Sequence, residues 1–364
     1  MKVLYDHQMF SLQKYGGITK YFCEFIKLLP KDIETEIALI FSYNAHLNEN
    51  KKLIGKKYLE FPDRRFPGKN FLANKLINFN QYYSETKIRN NNFDLFHPTF
   101  YDPYFLSTLK KPFILTIHDL IEFKFKTKYG AENPIHNNME NLIKKADRLI
   151  AISNNTKKDI VEIFGISDDK IDVIYHGFNF PGEKKGDKQK ERYLLFVGAR
   201  GGYKNFKFFL KAISPLLHRE NDLKLICVGK DFEKSELEYI ASFGLTERVM
   251  AKHVSERGLN QLYSDAIAFV FPSLYEGFGM PILEAFANNC PVCLSNTSSF
   301  PEVADNAGLY FDPYNEDSIF TIVESIVCDS QKREKMIKMG NERLQHFSWS
   351  KTSSETALSY QKVI

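Results

Sequence analysis

Cysteine is sparse in this chain: the five in 364 residues, Cys23, Cys227, Cys290, Cys293 and Cys328, form an odd and scattered set. A disulfide framework is excluded as the organising device. Cys290 and Cys293 do make a C-x-x-C, but no second Cys or His pair follows at zinc-ligand spacing, and Cys293 sits inside the apolar triplet Val292-Cys293-Leu294. A thiol there behaves as a small hydrophobe, and no metal site is expected. Long apolar runs are missing as well. None approaches the ~18 residues of a spanning helix, and MKVLYDHQMF at the start has neither the apolar core nor the small-residue cleavage site of a secretory leader. The expectation is a cytoplasmic protein. Low-complexity tracts and a solenoid period are also lacking.

What remains is an ordinary globular composition, 43% hydrophobic and 26% charged, in a chain long enough for two domains with a core each. The net charge of +4 is modest but unevenly placed. Between Lys51 and Arg89 the basic residues, Lys56, Lys57, Arg64 and Arg65 among them, face only Glu60, Asp63 and Glu85, with Phe61, Phe66, Phe79, Tyr82 and Tyr83 interleaved. Such a stretch suits an anionic membrane surface at the inner face of the cytoplasmic membrane, or a solvated face over a core. Nucleic acid ranks last, because no recognition motif accompanies it.

Read in order, the chain alternates short apolar strands with helical patterns. Strands are predicted at Val3–Tyr5, Glu36–Phe41, Asp94–Phe96, Phe113–Ile117, Leu149–Ile152 and Ile171–Ile174, then at Tyr193–Val197, Leu223–Val228, Val249–His253, Ile267–Phe271, Pro291–Leu294 and Leu309–Phe311. Between the two sets, Phe180 to Arg192 is polar, charged and without apolar period, which predicts a linker. The fold class is therefore α/β: two Rossmann-like, doubly wound domains at residues 1–180 and 193–346, a linker at 181–192, and a final helix at 347–364.

Sheets of this kind bind ligands at the carboxyl ends of their strands, so the residues that follow each strand carry the chemistry. After the first come Gly16 and Gly17 at a helix start, where backbone amides can approach a phosphate. After the Phe113–Ile117 strand comes His118, for which a structural role beside Asp119 is the bland alternative. After Tyr193–Val197 comes Gly198-Ala199-Arg200-Gly201-Gly202-Tyr203-Lys204-Asn205, whose Arg200 and Lys204 are free to converge on an anion or are simply solvated. The strand at Ile267–Phe271 runs into Glu276-Gly277-Phe278-Gly279-Met280-Pro281, with Pro281 suited to the first position of a helix that buries Leu283, Phe286 and Ala287. Glu276 and Glu284 frame that turn. As a lone strand-turn-helix they would read as a dipole-complementing acid and a solvated residue.

The arrangement E-G-F-G-x-P-x-x-E-A after a strand ending F-P-S resembles the E-x7-E motif of retaining glycosyltransferases of family 4, which have the GT-B fold. The resemblance extends to Gly16-Gly17, His118-Asp119, the Ser153 loop, Arg200 with Lys204, and Pro301-Glu302-Val303. Two departures stand out: Lys204 follows Arg200 by four residues, closer than is common, and His176-Gly177 replaces the usual Asn-Gly. The resemblance implies sugar transfer from a nucleoside-diphosphate sugar, GDP-mannose before a UDP-sugar, to a glycan or lipid-linked acceptor in surface polysaccharide assembly. It places the donor in the C-terminal domain, the acceptor in the N-terminal one and the chemistry in the cleft. It implies that Arg200 and Lys204 neutralise the diphosphate, aided by amides of Gly16, Gly17 and the Gly277, Phe278, Gly279, Met280, Pro281 turn. Glu284 would bind ribose, while Glu276 and His118 would face the reacting sugar. No D-x-D lies between the strands, so no metal and no cofactor beyond the donor are expected. The last helix is similar to the tail that returns to the N-terminal domain in GT-B enzymes. A nucleotide-sugar epimerase of the same architecture and a non-catalytic sugar-binding protein are the competing readings.

Overall fold

The computed structural model describes residues 1–54, 58–60, 69–125, 134–179 and 191–364. The linker predicted at 181–192 lies outside the described residues except for its last two. Two compact units are present, Met1–Gly177 together with Ser348–Ile364, and Phe178–Phe347.

In the first unit, strands β1 (Lys2–Tyr5), β2 (Glu34–Ile37), β3 (Phe41–Ser42), β4 (Leu59–Glu60), β5 (Leu95–His97), β6 (Ile114–Ile117), β7 (Arg148–Ala151) and β8 (Ile171–Val173) are all parallel to their neighbours. They form the sheets β2-β1-β5 and β6-β7-β8, linked by a single bridge from Phe96 to Phe113, and the small pair β3-β4. The strand expected over Glu36 to Phe41 is thus two strands in two sheets. The amide of Ala38 closes the β1 ladder on the Tyr5 carbonyl, and the Asn80 side-chain oxygen then takes the amides of Ile40 and Phe41 at 3.0 and 2.9 Å. With those amides taken, β2 cannot continue.

The helix Trp349–Gln361 belongs to this unit. Its buried face is made largely of small polar residues, and buried polar groups are as a rule hydrogen-bonded. Ser353 donates to the Phe25 carbonyl at 2.9 Å, Thr352 to the Tyr175 carbonyl at 2.8 Å, and the Tyr360 hydroxyl lies 2.8 Å from that of Tyr5 and 2.7 Å from Nδ1 of His97. Lys362 closes the helix end on Asp172, which Arg148 also holds.

The second unit carries β9 (Arg192–Val197), β10 (Leu223–Val228), β11 (Val249–Lys252), β12 (Ala268–Phe271), β13 (Val292–Ser295) and β14 (Gly308–Phe311) in one parallel sheet of order β11-β10-β9-β12-β13-β14. This is the doubly wound order in which the winding reverses between the first and fourth strands, here β9 and β12. Leu194, Phe196, Leu225, Cys227 and Val270 of the strands pack on Phe209, Leu210 and Ile213 of the Phe206–Arg219 helix, so the strands read as near-continuous apolar runs because both faces are covered. Cys290 and Cys293 are buried in this unit, and burial pushes the Cys293 thiol up to about 12 and the Cys290 thiol higher still.

Candidate functional site

The winding reverses between β9 and β12, the place where sheets of this kind bind ligands, and the loops that follow these two strands meet there. The β9 loop needs left-handed backbone at Gly198 (φ 117°), Gly202 (φ 59°) and Asn205 (φ 58°), which compresses it into a short turn before the Phe206–Arg219 helix. The amide of Leu274 donates to the Tyr203 carbonyl at 2.7 Å, tying this loop to the one after β12. Lys204 and Glu276 meet as a consequence. Nζ lies 2.5 Å from Oε1, and the two side chains are only 15% and 13% exposed. Nζ also lies 5.1 and 5.5 Å from the ring centres of Tyr203 and Phe271, so the charge is held on three sides.

Arg200 corrects the sequence reading of a cation free to converge on an anion. Its guanidinium is engaged by both carboxylate oxygens of Glu236, at 2.9 Å from Nε and 3.1 Å from Nη2, and by the Asp231 carbonyl at 2.8 Å. Phe232 lies under it, 4.6 Å from ring centre to Cζ. Glu236 stands at the start of the Lys234–Ser242 helix, where it also closes a capping box with Glu233. Nothing at the position of Arg200 in the sequence announced this partner; the E-x-x-E of Glu233 and Glu236 was the available signal.

The turn after β12 is pinned from behind. The Ser298 hydroxyl accepts from the Glu276 amide at 3.0 Å and donates to the Glu276 carbonyl at 2.6 Å, while Ser299 donates to the carbonyls of Glu276 and Phe278 at 3.0 and 2.9 Å. Ser298 adopts a left-handed φ of 59°, uncommon for a residue with a Cβ. Sequence reasoning missed both serines, which hold Glu276 in place. Gly279 (φ 97°) ends the turn, and a Cβ there would sit 3.1 Å from Ile282 and 3.3 Å from Phe300. The helix that follows, Met280–Ala287, puts Pro281 at its second rather than its first position and buries Ile282, Leu283, Ala285 and Phe286, with Ala287 only half-buried. Met280 is half-buried, whereas Gly277, Phe278 and Gly279 are buried. Glu284 faces the buried Tyr263, whose hydroxyl donates to Oε2 at 3.2 Å. Burial first, and the Glu284 charge next, hold the Tyr263 hydroxyl far above its ordinary pKa, so it stays a donor.

Gly16, Gly17 and His118 lie in the first unit. Gly16 is the cap of the Gly17–Ile26 helix in extended backbone, and Gly17 opens that helix, so neither glycine is there for a left-handed φ. His118 follows β6 but turns inward: its ring lies 5.3 Å from that of Tyr21 and 6.0 Å from that of His176, and its amide donates to the Tyr101 hydroxyl at 3.1 Å. Asp119, the partner expected for it, accepts instead from the Ile121 amide at 3.1 Å. Burial, and then His176 and His97, keep the His118 imidazole neutral well below its usual range.

Residues 15–180 match the model of the Glycosyltransferase Family 4 domain, and residues 181–343 that of Glycosyl transferases group 1. The chain is 30% identical over 291 residues to O-antigen chain mannosyltransferase B of Escherichia coli, covering 72% of this chain and 73% of that protein. It is 31% identical over 217 residues to O-antigen chain mannosyltransferase RfbU of Salmonella typhimurium, covering 58% of this chain and 60% of that protein. Among solved structures, Anabaena HepE in complex with UDP and glucose superposes over 100% of both chains with a TM-score of 0.72 at 17% identity. With the doubly wound sheet and the Glu276 turn already described, these matches settle the family: the chain is a group 1 glycosyltransferase of family 4, with the GT-B fold.

Proposed function

We propose that the chain moves a sugar, with retention and without a metal ion, from a nucleoside-diphosphate sugar to a glycan or lipid-linked acceptor in surface polysaccharide assembly. The observation that carries this is the Lys204–Glu276 pair at the reversal of the second sheet, with Glu284 about one turn along the adjoining helix. In the reaction the bond from the sugar C1 to the diphosphate oxygen breaks, the acceptor oxygen bonds to C1, and the acceptor proton passes to a phosphate oxygen. Lys204 and Arg200 supply positive charge where the leaving group gains negative charge, in a setting where little water competes. Glu276 then holds the sugar hydroxyls and Glu284 the ribose. In the first unit Gly16, Gly17 and His118 are the residues proposed for substrate contact, with acceptor recognition assigned to that unit.

Mannose from GDP-mannose is the favoured donor sugar, because two relatives over 30% or near it are named O-antigen mannosyltransferases; a UDP-sugar is the alternative, HepE having been solved with UDP. Incubation with a panel of nucleotide sugars, with and without lipid-linked acceptors, tests the reading. Release of nucleoside diphosphate that requires an acceptor is expected. Conversion of the donor with no acceptor would make the protein an epimerase, and binding with no turnover would make it a sugar-binding protein.

Membrane association follows from the lipid-linked acceptor and from the helix Lys69–Asn90, whose Phe79 and Tyr82 are 48% and 62% exposed. Its basicity is partly spent within the unit, since Lys87 pairs with Glu36 and Arg89 with Glu85; Lys56, Lys57, Arg64 and Arg65 lie outside the described residues. Among the described residues no helix is long and apolar enough to cross a membrane. With about 1 kcal/mol per unpaired basic residue near anionic lipid, flotation on phosphatidylglycerol vesicles is expected, and it should weaken with salt. Equal recovery on neutral vesicles would remove membrane binding from the proposal.

A further inference from the structure

Arg200 and Lys204 belong to one short loop, yet their counter-charges differ in kind. Lys204 meets Glu276, a residue of the proposed donor site itself, whereas Arg200 meets Glu236, which has no other place in the reaction. Glu236 is also the more firmly fixed of the two carboxylates. Its Oε2 accepts the Glu233 amide at 2.8 Å in the capping box, so the side chain is tied to the backbone of the helix start as well as to the arginine. The Arg200 side chain is 5% exposed and that of Glu236 12%. Burial alone would raise the Glu236 carboxyl; the Arg200 hydrogen bond, the Glu233 amide and the Arg200 charge outweigh it and hold the group below the usual carboxylate range.

The edge of the guanidinium matters. Glu236 takes Nε and Nη2, the Asp231 carbonyl takes Nη2 again, and the Phe232 ring covers one face. Among the described residues nothing accepts from Nη1. That atom lies beside Gly229, which follows β10 with a φ of 154°. A Cβ on Gly229 would stand 2.9 Å from the Gly198 carbonyl oxygen and 3.7 Å from Nη1. The end of β10 is thus kept bare of a side chain at the one edge of the arginine that remains able to donate.

We infer that Glu236 is a positioning residue for the donor diphosphate: it clamps Arg200 by its Nε–Nη2 edge and presents Nη1 past the bare backbone of Gly229 to a phosphate oxygen. The inference rests on the proposed donor site and adds to it a carboxylate that never touches substrate. A planar fork held by two carboxylate oxygens has one orientation, so a single donating edge is ready before the ligand arrives. A carboxylate that merely anchored the helix would leave the diphosphate unaffected.

The test compares the native chain with Glu236→Ala, Glu236→Gln, Arg200→Ala and the double variant Glu236→Ala/Arg200→Ala. Affinity for GDP and UDP is measured by calorimetry and affinity for guanosine and uridine by ligand-observed NMR. For whichever base binds, Glu236→Ala is expected to weaken the diphosphate roughly tenfold and leave the nucleoside within about twofold. Glu236→Gln, which keeps the shape and one acceptor, should fall between. In the Arg200→Ala background the Glu236→Ala change should have no further effect. Equal weakening of nucleoside and diphosphate, unchanged or tighter diphosphate binding, or additive losses in the double variant would each overturn the inference while leaving the donor site standing. Failure of the native chain to bind either diphosphate would overturn the functional reading and this inference together. If Glu236→Ala does not fold, the same comparison with Glu236→Gln decides.

Discussion

Glu276→Gln is expected to lower kcat roughly a hundredfold with donor KM nearly unchanged, and Glu284→Gln to raise donor KM roughly tenfold with kcat nearly unchanged. The asymmetry follows from what each carboxylate is proposed to hold. Ribose changes little in the reaction, so a group that binds it stabilises ground and transition states alike. The transferred sugar becomes oxocarbenium-like, and its hydroxyls bind more tightly to a charged acceptor at that moment. The surroundings of the two residues support the same split. Glu276 is paired with Lys204 at 2.5 Å, so loss of its charge also alters a cation proposed for the leaving group. Glu284 is paired with the neutral hydroxyl of Tyr263, which can donate equally well to the amide oxygen of glutamine. Steady-state kinetics on both variants, with folding checked by thermal melting, reads the result. Effects in the opposite sense would exchange the two roles. Silence in both would make the Gly277–Pro281 turn a structural device and remove the central support of the proposed reaction.

The order of strands was legible in the sequence because buried parallel strands are short, apolar and separated by helices of a different period, as at Leu223–Val228, which the structure reproduces residue for residue. What eluded sequence reading depended on partners far along the chain. The interruption at Ala38 to Ile40 is decided by Asn80, forty residues on, and no local propensity encodes it. The inward face of Trp349–Gln361 is lined by Thr352, Ser353, Thr356 and Ser359, so an apolar stripe gives no indication of how that helix packs. The candidate site shows the same division. Glu276, Glu284 and Lys204 stand out because their loops carry glycine and proline at fixed offsets, whereas Glu236, Ser298, Ser299 and Tyr263 act through contacts the sequence does not order. Arg200 shows what this costs: read alone it is a free cation, and only its neighbour across the β10 loop reveals that two of its nitrogens are already taken.

The first unit should lose at least about 4 kcal/mol of stability between about pH 7.5 and about pH 5.5, the largest single change expected of the molecule. His97, His118 and His176 are 0%, 8% and 6% exposed, and burial is the leading cause that depresses all three, to about 3 for His97 and His176 and well below the usual range for His118. The sign is fixed by the unfolded chain, where each imidazole regains a pKa near 6.5. Below that value the unfolded state binds protons the folded state refuses, so stability is complete above about pH 6.5 and falls as the pH drops toward the folded values. At about pH 5.5 each histidine contributes about 1.4 kcal/mol to the loss, whatever its folded pKa, provided it lies well below that pH. Asp172 and Glu36, whose carboxyls are held down in the folded state by basic partners against the opposing effect of burial, lose their contribution only below about pH 4.5 and so do not blur the window. Urea denaturation at the two pH values, followed by a probe in the first unit such as the single tryptophan, Trp349, measures the change. His176→Asn should reduce the slope of stability against pH by roughly a quarter to a third, because one of the proton-refusing sites is gone while His7, which burial also depresses, remains with the other two. A stability constant to within about 1 kcal/mol over this range would mean that the histidines accept protons in place, and that the ring cluster of Tyr21, His118, His176 and Trp349 is open to water.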